Sequence, residues 1–400
     1  MTPKNSEHYK KALKFIPWAT QTNAKRLQPG WGEFMPPFIK RAKGCRVWDL
    51  DDREYIDYRC ALGPIILGYQ YSEVDKAVRE QMKNGVLFSM ASPLELETAE
   101  AIIQNVPWIE QIHFMKTGAG ACTACTRLAR AYTGRQHILT SGYHGYHDCF
   151  ALGWQNHGAP EILRDYVHEI AYGDLAAVDT AFEKHGEGLA AAIVAPYEWN
   201  EDTGEAYLQR LREKCDEYGS LLIFDEVLTG FRLARGGAQE YYGITPDLAA
   251  FAKAMANGYP ISVFAGKREY MRTLEKTIIT ITYAGETLSL AASKATMTIM
   301  RNEPVHDHIF EMGNRLRGGF AEIIKEMSAP AHEAGLPPAP YIQFDVGSEE
   351  ENTKWQNRLF SILFAKGIFP SERWFVNYSH RVDDIDQTLE VVRQSMSEIL

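Results

Sequence analysis

The stretch SLLIFDEVLTGFR, 220–232, ends an apolar run in two acids, Asp225 and Glu226. A carboxylate in apolar surroundings is costly unless a cation or hydrogen-bond donors meet it. In a strand, residues two apart face the same side. Asp225 and Val227 therefore share a face: the acid can pair with a cationic ring nitrogen while the valine packs on the ring. An Asp capping the next turn is the alternative, and the C-terminal end of a strand suits both, because open α/β sheets bind ligands there. A second group is Lys253 in FAKAMANGYP, 251–260. A lysine among Phe, Ala and Met is desolvated, which lowers its pKa and frees the amine to form a Schiff base; otherwise its stem lies along apolar surface with the head in water.

Two further segments bear on the same chemistry. KTGAGACTAC, 116–125, reads as strand, glycine-containing turn and helix of small residues. Free N–H groups at such a helix start point at an anion, although tight helix–sheet packing also asks for glycine. GYHGYHD, 142–148, crowds Tyr143, His144 and His147 into one loop, as a polar turn or as an aromatic platform over a flat ring. Each signal alone is ambiguous. Together they supply a phosphate cradle, a stacking ring, a counter-charge for a pyridinium nitrogen and a Schiff-base lysine, the needs of pyridoxal 5′-phosphate.

The elements that must position these groups follow from periodicity. Helical spacing runs through 72–82, 94–106, 117–132 and 207–219, and short apolar runs occupy 110–115, 136–140, 189–196, 220–227, 246–252 and 261–266. Apolar strands without alternation predict a sheet buried on both faces, and their alternation with helices predicts an α/β domain with a mostly parallel sheet. Towards the N-terminus, 8–15 reads as a short helix and 37–58 as two strands around a turn at Asp51 and Asp52. The C-terminal part carries helical patterns at 287–302, 304–327, 352–365 and 383–398 around one strand, 341–346, with a Pro-rich loop at 328–340: a smaller α+β lobe.

Composition sets the wider limits. The 400 residues are 45% hydrophobic and 24% charged, enough for a large core and more than one lobe. A net charge of −10 argues against nucleic acid or an anionic membrane as the main partner. The polar, lysine-rich first residues lack an apolar signal region, and no apolar run approaches a membrane span. Cys122 and Cys125 form a CxxC without a second pair at zinc-site spacing, so they read as buried thiols and no metal is expected. A cytoplasmic protein is expected.

KRAKGCRVWDLDDREYIDY, LGPIILGY, RLARAYTGR, GYHG, LLIFDEVLTGFR, PDLAAFAKAMANGYP, TYAGETLSLAA and WFVNYSHRVDDID, spread over nearly the whole chain, resemble the class III, fold-type I aminotransferases, in the branch of glutamate-1-semialdehyde aminomutase. The resemblance implies residues 1–60 joining a small domain, a large cofactor-binding domain with a seven-stranded type of sheet at 61–290, and a small α+β domain at 291–400. It implies Lys253 as the Schiff-base lysine, Asp225 on the pyridine nitrogen, Val227 and Tyr143 on the two ring faces, and Gly118 and Ala119 as phosphate donors. It further implies Asn200 near the ring oxygen and Thr282 reaching the phosphate of a neighbouring subunit in a homodimer with shared sites.

The chain also departs from that pattern. GAGA, with Ala119 and Gly120, lacks a hydroxyl and an acid usual in the family, and Ala195 stands where a Glu is common. FIPWATQTNAKR replaces a glycine-rich segment, so Trp18 and Lys25, with His144 and Glu198, are expected at the substrate, and the similarity points to members acting on sugars or aminocyclitols. The expected reaction moves an amino group from a donor such as glutamate to a carbonyl of a small metabolite. An aminomutase, epimerase or dehydratase would use the same lysine, and a non-catalytic binding protein would have less need of both Lys253 and Asp225.

Overall fold

A computed structural model describes residues 2–28, 30–32, 34–150, 157–198 and 204–400. The chain divides into two compact units, one of residues 1–71 with 307–400 and the other of residues 72–306. The sequence-based joints lie at 60 and 290; the units divide after Tyr71 and after His306. No helix among the described residues is long and apolar enough to cross a membrane.

The first unit opens with the helix Pro3–Ala12 and an antiparallel meander, β1 (Ile39–Lys43), β2 (Arg46–Asp49) and β3 (Glu54–Asp57). Three strands thus occupy the segment where two were expected. The turn between β2 and β3 does fall at Asp51 and Asp52, with Asp52 at a positive φ of 64°.

The second unit is built on a seven-stranded sheet. Its strands are β4 (Gln111–Met115), β5 (His137–Ser141), β6 (Val167–Glu169), β7 (Leu189–Val194), β8 (Leu221–Glu226), β9 (Leu248–Phe251) and β10 (Ser262–Gly266), in the order β4-β10-β9-β8-β7-β5-β6. β9, β8, β7, β5 and β6 run parallel, whereas β10 is antiparallel to both its neighbours. Every residue of β7, β8, β9 and β10 is buried, as a two-sided sheet requires. The helix Gly118–Thr133 lays Ala121, Cys122, Ala124, Cys125, Leu128 and Ala129 into one core with Ile193, Ile223, Ala250 and Phe264 of the strands. Its small side chains let the helix approach the sheet closely. β6 and the helix Leu175–His185 carry no strong period and were not legible in the sequence.

In the C-terminal part of the first unit, β11 (Ala331–Ala334) pairs antiparallel with β12 (Tyr341–Phe344), so part of the expected Pro-rich loop is strand. β13 (Ile368–Phe369) adds parallel to β3, which places the two ends of the chain in one four-stranded sheet. The helices Glu349–Ala365 and Val382–Ile399 pack around it, the first with Ser348 and Glu351 closing a capping box.

Candidate active site

Within the second unit, the groups singled out above gather at the C-terminal ends of β5, β7, β8 and β9. β8 and β9 pair with Asp225 opposite Ala250 and Glu226 opposite Phe251, and Lys253 follows two residues beyond the end of β9. Asp225 is 6% exposed. Its Oδ1 accepts the Val227 N–H at 3.0 Å, and its Oδ2 lies 2.8 Å from His144 Nδ1. One oxygen caps the turn, as the alternative reading has it, and the other meets an imidazole. The Cys122 thiol lies in the same cluster, where burial and the nearby Asp225 carboxylate hold it protonated.

Lys253 is set apart by its backbone. Its φ of 46° puts a non-glycine residue in the left-handed region, a strained conformation that clusters at functional sites. Burial pushes its pKa below the ordinary lysine value; Asp225 opposes that shift and Arg232 adds to it. Arg232 is fully buried in the turn that follows β8. A larger neutral fraction of the amine results, which is what a nucleophilic lysine requires.

The cradle at the start of the helix Gly118–Thr133 is shaped by its neighbours. A Cβ on Gly118 would stand 2.7 and 2.8 Å from the two methyls of Val227, so the helix start rests directly on that side chain. Thr117 caps the helix, taking the Gly120 N–H on Oγ1 and the Ala121 N–H on its carbonyl. The N–H groups of Gly118 and Ala119 precede these bonds and point away from the helix, where an anion is favoured. Gly145, at φ 106°, passes the same point: a Cβ there would come 2.3 Å from the Ala119 Cβ. The Ala119 methyl therefore fills the space where the GYHG loop crosses the helix start.

In the GYHG loop His144 is buried and Tyr143 is exposed. His144 is buried on Asp225, with Phe150 edge-on to its ring at 5.3 Å. Tyr143, expected over the ring, is 76% exposed in the single chain. Spacing alone does not say which of two adjacent aromatic residues turns inward. Glu198 is half-buried, its Oε1 next to Gly142. Thr282 is exposed in a turn. Trp18 and Lys25 are exposed in the first unit, Trp18 at φ 62° with Arg26 5.7 Å over its ring. Asn200 lies outside the described residues.

Sequence alone assigns Glu226 no role of its own. It is fully buried, accepting the Thr229 hydroxyl and the N–H groups of Ala238 and Gln239 at 3.0 and 3.1 Å. It latches the segment after β8, which carries Val227 and Arg232. Burial raises its pKa to about 7 against these three donors.

Comparison with known proteins places this geometry. Residues 28–332 match the family model "Aminotransferase class-III". A 3-aminobutyryl-CoA aminotransferase of Cloacimonas acidaminovorans is 34% identical over 94% of this chain and 95% of its own length. A glutamate-1-semialdehyde 2,1-aminomutase of Sulfurihydrogenibium azorense is 32% identical over 98% of each. Among solved structures, the FumI protein of Sphingopyxis sp. MTA144, in its PLP internal aldimine form, superposes with a TM-score of 0.93 at 29% identity, covering 100% of this chain and 97% of its own. An omega-transaminase from Sphaerobacter thermophilus follows at 0.91 and 25%, covering 99% and 97%.

Proposed function

The chain belongs to the class-III aminotransferases, fold-type I enzymes that use pyridoxal phosphate, and from that premise we propose that it moves an amino group from an amino acid such as glutamate to a carbonyl of a small metabolite. The supporting observation is the juxtaposition at neighbouring strand ends of a buried carboxylate, Asp225, and a desolvated amine, Lys253, whose proton affinity that carboxylate raises.

The residues present fit the cofactor. The uncapped N–H groups of Gly118 and Ala119 suit its phosphate, Val227 one face of its ring and Asp225 its ring nitrogen. When bound, pyridoxal phosphate supplies an aldehyde for amine exchange and a ring that takes up electrons. Asp225 would keep a proton on the ring nitrogen, with its carboxylate held in place by His144 Nδ1, 2.8 Å from Oδ2. Lys253 Nζ would hold the aldehyde carbon and, as a free amine, would move the proton at the substrate carbon. Tyr143 on the second face, Asn200 at the ring oxygen and the partner subunit's Thr282 at the phosphate complete the reading, which takes the enzyme as a homodimer with shared sites. Trp18, Lys25 and Glu198 are assigned to the substrate, a sugar or aminocyclitol by the N-terminal segment. The six cysteines are free thiols, in keeping with a cytoplasmic setting.

A half-reaction screen tests this. Mixing the cofactor-loaded protein with a panel of amines should bleach the visible band and release the matching carbonyl compound for at least one amino acid donor. The resemblance to aminomutases supports a second reading: a rearranged product with no carbonyl released from any donor would favour it and sink the transfer reading.

A further inference from the structure

Three histidines far apart in sequence meet at the edge of the seven-stranded sheet. His137 opens β5, His168 lies in β6 and His185 closes the helix Leu175–His185. His137 Nδ1 is 3.0 Å from His168 Nε2, although 31 residues separate them. The rings of His168 and His185 stack with centroids 3.8 Å apart and planes 12° apart. Each histidine brings one ring nitrogen within 4.8 Å of those of the other two, and all three are half-buried. Gly188 makes room, since a Cβ there would stand 2.9 Å from His137 Cδ2.

We propose that His137, His168 and His185 form a binding site for one divalent transition-metal ion of the zinc, copper and nickel class, which imidazole ligands prefer. Two nitrogens at about 2.0–2.1 Å from a tetrahedral zinc stand about 3.3 Å apart. The His137–His168 pair is already near that spacing, and the third nitrogen reaches it by a side-chain rotation. Half-burial leaves the fourth position to water. The carbonyl end of the helix that closes at His185 favours a cation, partly offsetting the neighbouring Lys184. His137 opens β5 while Gly142 and His144 follow its other end, so the ion ties β5, β6 and the helix together away from the catalytic groups.

The test titrates zinc chloride into the cofactor-loaded protein by calorimetry in a non-chelating buffer, with copper(II) electron paramagnetic resonance alongside. The expected result is one equivalent per chain, nitrogen hyperfine structure from imidazoles, and a raised thermal midpoint. His168→Gln and His185→Gln should each weaken zinc binding at least about tenfold, with metal-free turnover unchanged. Testing both covers a failure of either variant to fold, and His185, at a helix end, is the more tolerant position. Absence of saturable binding, or binding undiminished in a folded variant, overturns the proposal.

Discussion

His144 Nδ1 and Asp225 Oδ2 stand 2.8 Å apart, with both side chains almost wholly shielded from water. The imidazole and the Val227 N–H are the partners that make a carboxylate tolerable at the end of LLIF. A hydrogen bond to a charged group contributes about 1.5–3 kcal/mol. His144→Ala should therefore weaken cofactor retention or lower kcat by about tenfold to a hundredfold. Equilibrium dialysis of the cofactor and steady-state kinetics check this; wild-type values would show that Asp225 needs no such support.

Lys253→Ala should abolish the visible band of the loaded protein and reduce turnover by at least about 10²–10⁴-fold, the usual contribution of a positioned proton carrier. Absorbance and product formation are measured together, and a variant that keeps full activity without the band refutes the assignment.

Gly118→Ala should lose cofactor affinity, because the added methyl meets the Val227 side chain at 2.7 Å. Overpacking of this kind costs about 1–3 kcal/mol. Val227→Ala opens the space, so the double variant should be more stable than the sum of the two single changes predicts. A thermal-melt cycle without coupling would show that the two sites are independent.

Glu226 and His380 give opposite pH dependences of stability. The folded state holds the Glu226 proton up to about pH 7, whereas the ordinary value is 4.5. Its favourable contribution is therefore complete below 4.5 and lost as pH rises through about 7. Burial lowers His380 from 6.5 to about 4, so its penalty grows as pH falls from 6.5 towards 4. Glu226→Gln should remove the first slope and His380→Gln the second, at a cost near neutrality, since each side chain accepts backbone N–H bonds. Melting midpoints between pH 4 and 8, taken as differences from wild type, separate the two windows. Parallel curves for either variant would contradict its assignment.

The parallel strands were legible because their apolar runs have no polar face to alternate with. What escaped was orientation. Nothing in ISVFAG shows that β10 runs antiparallel between β4 and β9. Nothing in GYHG says that His144 is buried and Tyr143 exposed, because a one-residue rotation of a loop leaves composition unchanged. Glu226 was visible only as the neighbour of Asp225; its three donors come from the segment after β8. His137, His168 and His185 carry no spacing signal, since the parallel register and a helix end alone bring them together.

The positive φ at Lys253 leaves a mark on any lineage that outgrows the reaction. Once the amine is no longer selected, the cheapest replacements are the residues that occupy such a backbone without protest, Gly first and Asn next. A silent descendant of this chain would betray itself by one of those two letters at 253, long before its sheet or its carboxylate had changed.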